Sequence, residues 1–208
     1  MGNSPLRSFG ISYSKEVAQC TNREHTNLMA TLPRCESQEE FVSVREYLTT
    51  SYEPDCDYVD GVLEERNLGE HDHAYLQSLL AHFFISNRLA WGIYAITDCR
   101  IQVEQTRFRV PDVTVRRIGS IREPILTHPP LLVIEILSPE DRPKRMVKRC
   151  EDYLQFGIEN VWIIDPQSKQ GWYCSSGGTE AVENGEMVVD GTPIRVVLSD
   201  LFAELDAV

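Results

Sequence analysis

An α/β fold is predicted by three features of the chain. From His73 onward, Leu76, Leu79, Leu80, Phe83 and Phe84 follow the three-four spacing of one buried helical face. Val161-Trp162-Ile163-Ile164-Asp165-Pro166 is a nearly continuous apolar run, as expected of a strand covered on both faces of a sheet. Around these lie short segments of strand composition punctuated by glycine and proline. With 42% hydrophobic and 25% charged residues in 208, one core of useful size can be buried, and neither an internal repeat nor a second domain is visible.

Residues 1 to 37 are polar and lack a periodic pattern, so they read as a weakly ordered tail; Met29, within it, is a candidate start of translation. Ser37-Gln38-Glu39-Glu40 has the spacing of a capping box before Phe41, Val44, Tyr47 and Leu48, which predicts a short amphipathic helix and the start of a domain over 38–208. Tyr58 to Arg66 reads as a strand hairpin turning at Asp60-Gly61. The helix from His73 extends to about Leu89, with Glu70, His71, Asp72 and His73 in its first turn. Strands follow at Tyr94–Ile96, Arg100–Gln105, Arg109–Arg116 and Leu131–Leu137. A helix over Arg142–Phe156 places Met146, Val147, Cys150, Tyr153 and Leu154 on one side, and Gly157 is its C-cap. After Val161–Pro166, the segments Trp172–Cys174, Glu186–Val189 and Ile194–Leu198 predict a C-terminal β meander closed by an apolar turn at Leu198–Phe202.

Net charge of −12 argues against a protein that coats nucleic acid nonspecifically, because such binding rests on clustered Lys and Arg that release counterions. Local clusters remain: Arg100, Arg107, Arg109, Arg116 and Arg117 in one segment, Arg142, Lys144, Arg145, Lys148 and Arg149 in another. Either is a phosphate track or a solvated surface. The apolar runs fall short of the roughly 18 residues of a membrane span, and the N-terminus lacks a signal core, so a cytoplasmic protein with no membrane partner is expected. Cys20, Cys35, Cys56, Cys99, Cys150 and Cys174 show no C-x-x-C pairing and are expected as free thiols.

Two acids stand where strand burial makes them costly. Asp112 lies in Val110-Pro111-Asp112-Val113, and Glu135 in Leu132-Val133-Ile134-Glu135-Ile136-Leu137. An ionised carboxylate loses several kcal/mol on burial unless it is paired or bound to a metal. Pro111 has no amide hydrogen, so it marks an edge, a bulge or a strand start and can aim Asp112 into a cleft. Mg²⁺ takes oxygen ligands and commonly one or two carboxylates, a demand Asp112 and Glu135 meet. The chemistry indicated is metal-assisted hydrolysis of a phosphodiester. The bland alternative is a turn aspartate and an ion-paired strand glutamate. Tyr153 and Trp162 fit either the core or a nucleic acid base, and Asp165 ends a strand.

Glu65-Arg66-Asn67-Leu68-Gly69-Glu70, Arg107 to Val113, Glu135-Ile136-Leu137-Ser138-Pro139, Asp141-Arg142, and Tyr153 to Gly157 followed by Val161 to Pro166 resemble the Uma-type restriction endonuclease family. That bacterial family, long carried as a domain of unknown function, lies in the PD-(D/E)XK nuclease superfamily; the resemblance runs from about Phe41 to the C-terminus. It implies a restriction-endonuclease-like core with a mixed central β-sheet flanked by helices, an endonuclease acting on DNA, and Mg²⁺ with Mn²⁺ as a substitute. It places the acidic pair on Asp112 and Glu135, the extra metal-site carboxylate on Glu70, a family histidine on His73, and an accessory cation on Arg142. The motif lysine, two residues after the second acid, is replaced by Leu137. The resemblance then points to Lys148 or Arg149 on the following helix, with Arg149 better placed relative to Tyr153. His71 and His73 as a zinc pair lack a partner at ligand spacing.

Three readings follow. The first is a metal-dependent DNA endonuclease, expected as a homodimer because one short domain cuts one strand at a time. The second is a catalytically degenerate nuclease fold that binds nucleic acid or a protein partner, which Leu137 would permit. The third is a scaffold whose acids form structural ion pairs, for which Asp112→Ala is expected to lower thermal stability.

Overall fold

The computed structural model describes residues 41–53, 55–66 and 70–208. The tail expected over residues 1–37, Met29, Cys20, Cys35 and the Ser37–Glu40 capping box lie outside them. Helix α1 (Val44–Thr49) is capped by Ser43, whose Oγ accepts from Glu46 N–H at 3.2 Å. Ser43-Val44-Arg45-Glu46 has the same S-x-x-E spacing as the upstream candidate and sits directly against the apolar positions. Tyr47 is buried, whereas Phe41, expected on the same face, is exposed.

Strands β1 (Cys56–Val59) and β2 (Val62–Glu65) form the predicted hairpin. Asp60 and Gly61 both take positive φ, at 50° and 99°, which the tight turn requires and which glycine adopts without strain. Helix α2 (His71–Ser86) ends earlier than Leu89: Asn87 breaks it, and α3 (Arg88–Trp91) follows. Strands β3 (Ile93–Thr97), β4 (Ile101–Glu104), β5 (Arg107–Arg109), β6 (Val113–Arg117) and β7 (Leu132–Ile136) come next, then α4 (Pro143–Phe156) and β8 (Val161–Asp165). Gly157, left-handed at φ 98°, caps α4 as expected.

The strand expected over Arg109–Arg116 is two strands in two sheets. Pro111 cannot donate to a ladder, and Val110 N–H is spent on a side chain, so pairing stops at Arg109 and resumes at Val113. A four-stranded sheet has the order β2-β1-β5-β4, and its registered pairs are antiparallel. The six-stranded sheet has the order β10-β9-β8-β7-β6-β3, including β9 (Gln170–Ser175) and β10 (Gly178–Ala181). Its β7–β8 pair is parallel, bridged by α4, and its other pairs are antiparallel, so the central sheet is mixed.

The C-terminal meander is divided. β9 and β10 extend the main sheet, while β11 (Glu186–Val188) and β12 (Arg195–Val197) form a separate ribbon. β10 is exposed along its length, so it carries no alternation that could be read beforehand. Leu198–Phe202 opens a helix, α5 (Leu198–Leu205), instead of a turn, because Leu198, Leu201, Phe202 and Leu205 repeat at helical spacing into the core.

Helices α2 and α5 cover one face of the main sheet through Leu76, Leu80, Phe84, Leu201 and Phe202, packed against Val113, Ile134, Ile136 and Trp162. Helix α4 covers the other through Met146, Cys150 and Tyr153, packed on Val133, Ile163 and Cys174. The smaller sheet has its own cluster around Tyr47, Tyr58 and Phe108. Among the described residues no helix is long and apolar enough to cross a membrane, and the four described cysteines are free thiols.

Candidate active site

Alternation along β7 sends Ile134 and Ile136 to the α2 face and Glu135 to the α4 face. The register pairs Val113 with Ile134, so one residue further Asp112 stands opposite Glu135. Ile136 N–H donates to Asp112 Oδ2 at 2.7 Å, fastening the residue after Pro111 to the β7 backbone. Both carboxylates are buried.

Each acid has its own cations. Arg66 Nη2 lies 2.5 Å from Asp112 Oδ1, and His73 Nε2 lies 3.3 Å from Oδ2. Gln77, one turn along α2 from His73, donates to the Asp112 carbonyl at 2.9 Å. On Glu135, Tyr153 O–H donates to Oε1 at 2.5 Å and Arg149 Nη1 to Oε2 at 3.4 Å. Helix α4 presents both partners because positions 149 and 153 are one turn apart.

These surroundings split the two acids. Burial pushes Glu135 up to about 7, with the Asp112 charge adding to it, and Arg149 and Tyr153 hold it from rising further. Burial works on Asp112 as well, but the His73 hydrogen bond and the Arg66 charge outweigh it and hold Asp112 below the ordinary carboxylate range. Burial disfavours the charged His73 imidazole, yet Asp112 outweighs it and raises His73 above its ordinary value. At neutral pH the site therefore holds one fixed anion and one acid near its midpoint.

A third buried carboxylate completes the arrangement. Asp57 on β1 accepts from Arg149 Nε at 3.0 Å, from Arg109 Nη1 at 2.8 Å and from Val110 N–H at 2.9 Å. Arg109 also grips Asp152 through Nε at 2.9 Å and Nη2 at 2.7 Å, and Glu64 at 2.7 Å.

Other candidates are placed differently. Lys148 turns to Glu151 and Asp152, at 3.4 Å each, with its side chain 45% exposed, so Arg149 is the helix cation that meets Glu135. Glu70 is the exposed N-cap of α2 and makes no side-chain capping bond, and Arg142 is the exposed N-cap of α4. His71 pairs with Asp72 while His73 turns to Asp112, which separates the two histidines. Among the described residues no group of three or more His, Cys, Asp or Glu side chains is arranged to hold a metal ion. Trp162 is core.

Residues 39–201 match the Uma2 family, described as "Putative restriction endonuclease". The chain belongs to the Uma2 family. A crystal structure described as a "putative nuclease belonging to DUF820" from Anabaena variabilis superposes on this Uma2 chain with a TM-score of 0.69 at 23% identity, covering 79% of this chain and 99% of that one. The two share a fold. A cryoEM structure of a DrdV–DNA complex gives a TM-score of only 0.36 at 14% identity, over 64% of this chain and 11% of that one, too low to bear on the fold. No curated protein matches the sequence. Within this Uma2 chain, Leu137, where the resemblance expects the motif lysine, packs among the apolar residues under α4, and its N–H donates to Ile164 O at 2.8 Å.

Sequence alone does not single out Asp57; it places Arg66 and Arg109 in the segments that carry the resemblance, and Arg109 in a basic cluster, without a carboxylate partner for either, and offers Tyr153 as core, as a base contact and as the reference that favours Arg149. The signal that singled out Asp112 and Glu135, an acid inside an apolar run, is present at Cys56-Asp57-Tyr58-Val59. Arg109, between Phe108 and Val110, is its cationic counterpart.

Proposed function

We propose that this Uma2 protein is a metal-dependent DNA endonuclease whose Mg²⁺, replaceable by Mn²⁺, is held by Asp112 and Glu135. The observation that carries the reading is the pair itself: two buried carboxylates on adjacent strands, fastened by the Ile136 N–H to Asp112 bond, with the Arg149 guanidinium on the second acid.

The donor set fits the ion. An ionised carboxylate offers about four lone-pair sites; among the described residues Asp112 uses three contacts and Glu135 two. His73 Nδ1, buried without a hydrogen-bond partner, is a spare polar atom beside the pair. Two carboxylates satisfy Mg²⁺, which keeps several waters; Glu70, exposed at the α2 N-cap, is not gathered with the pair. The ion, when bound, would lower the pKa of its water and offset charge at the phosphorus.

The chain's own residues do the rest. Tyr153 fixes the Glu135 carboxylate through Oε1 and Arg66 fixes Asp112 through Oδ1. Arg149 stays protonated because Asp57 and Glu135 outweigh its burial, so it can stabilise a phosphate anion but not act as a base. Arg142 and the exposed Lys144 and Arg145 at the start of α4 offer a backbone track for DNA, and binding there would weaken steeply with salt. A homodimer would place two such sites on a duplex.

Cleavage of supercoiled and linear DNA by wild type and Asp112→Asn, with Mg²⁺, Mn²⁺ or chelator, tests the reading. Metal-dependent nicking lost in the variant is the expected result. No cleavage across a broad substrate panel, with metal still bound by calorimetry, would replace it with a degenerate nuclease fold kept for binding, the outcome Leu137 makes worth testing.

A further inference from the structure

Asp57 belongs to the small sheet, yet its contacts run to both halves of the candidate site. Its Oδ2 takes the Arg149 Nε at 3.0 Å, and its Oδ1 takes the N–H of Val110, two residues before Asp112, at 2.9 Å. We infer that Asp57 is a positioning residue, setting the Arg149 guanidinium against Glu135 and holding the bend that delivers Asp112. Only the activity arm of this inference rests on the nuclease reading.

An ion-pair role with Arg109 does not account for Asp57. Arg109 already has Asp152 through two nitrogens and Glu64 through a third contact, a full complement of anions without Asp57. Arg149 is the dependent partner: among the described residues its carboxylate contacts are Asp57 at 3.0 Å and Glu135 at the longer 3.4 Å. A guanidinium is a rigid planar fork, so pinning Nε fixes the direction in which Nη1 points. Asp57 alternates with Cys56 and Tyr58, which face the aromatic cluster of the small sheet, so its buried carboxylate lies on the opposite face against Arg109 and Arg149. What an apolar residue could not supply is an acceptor for Val110 N–H and a charge for Arg149 at once.

The test is a double-mutant cycle on kcat for plasmid nicking with Mg²⁺, using Asp57→Asn and Arg149→Ala, together with ¹⁵N spectra of the arginine Nε–H groups. Asparagine keeps an acceptor for Val110 and loses the charge. Asp57→Asn is expected to lower kcat about 10- to 100-fold, the usual effect of losing a group that orients a site residue. In the Arg149→Ala background the same change should cost less than about twofold, because coupled residues are non-additive. Equal losses in both backgrounds would overturn the inference and leave Asp57 a structural residue. If the wild type cuts nothing, the nuclease reading fails and the spectra decide this one: the Arg149 Nε–H should broaden or exchange faster in Asp57→Asn while the Val110 amide stays protected. An unchanged Nε–H refutes positioning. Should Asp57→Asn not fold, Arg149→Lys breaks the same contact from the other side, since an ammonium lacks the fork; a wild-type kcat and wild-type DNA affinity there would refute it too.

Discussion

Glu135→Gln separates what the carboxylate does for chemistry from what it costs the fold. Glu135 titrates near 7 in the folded protein and near its ordinary 4.5 when unfolded. The folded state therefore holds the proton more tightly, and the stability tied to this group is fully present below about 4.5 and lost as pH rises through about 7. At about 1.4 kcal/mol per pH unit of separation, the loss is about 3 kcal/mol once the solution is well above 7. Glutamine has the shape of the protonated acid, can still accept from Tyr153, and cannot ionise. Urea unfolding of both proteins in chelator, at pH 4.5 and at pH 8, measures the difference. The variant should gain about 3 kcal/mol on the wild type between the two, while losing metal-dependent cleavage. A difference that does not change with pH, or a variant less stable than wild type at pH 8, would refute the argument that burial holds Glu135 near its midpoint.

Binding of Mn²⁺ should release a proton from Glu135, so its affinity by calorimetry should rise about tenfold per pH unit below about 7 and flatten above; a flat profile would remove Glu135 from the ligand set. Asp112→Ala leaves Arg66, His73 and the Ile136 N–H without their shared acceptor and should lower stability by about 3–5 kcal/mol in urea. Lowered stability in that variant thus follows whether or not the acid binds metal, and only cleavage by Asp112→Asn separates a scaffold from a nuclease. Lys148→Ala should leave cleavage within about twofold of wild type, because the half-exposed Lys148 side chain pairs with Glu151 and Asp152 and not with Glu135; a large loss would return Lys148 to the site.

The acids of the main sheet were legible because strand burial makes a charge conspicuous, and α4 was legible because its period and its Gly157 cap agree. Composition and spacing offer both Lys148 and Arg149 to Glu135, since the two are adjacent and one helical step of about 100° decides between them, and it is the resemblance that favours Arg149. Sequence gave no sign that Arg66 would reach Asp112, because the contact spans 46 positions and depends on where the hairpin ends. The break at Pro111 was visible as a break, but not that it moves the chain from one sheet to another; that depends on Val110 N–H finding Asp57 instead of a strand partner. Asp57 itself met the criterion applied to Asp112 and Glu135, and consistent use of that criterion would have found it.

Buried ion pairs are weak devices for stability, since apolar side chains of similar volume commonly do as well or better. Here Asp57, Asp112, Glu135 and Asp152 are all buried and are met by Arg66, Arg107, Arg109 and Arg149. What such a network does supply is fixed direction: charges already oriented need not reorganise when charge develops at a reacting phosphate. Despite burial, Asp57 is held below the ordinary carboxylate range by Arg149 and Arg109, and Asp112 by the His73 hydrogen bond and Arg66, so both remain anions throughout the neutral range. Among the described residues Glu135 meets one arginine, at 3.4 Å, and it is buried opposite another anion, which leaves it near its midpoint. If the pair holds the proposed Mg²⁺, one ligand is already ionised and the other has a proton to displace, and that displacement would concentrate the pH response of metal binding in Glu135.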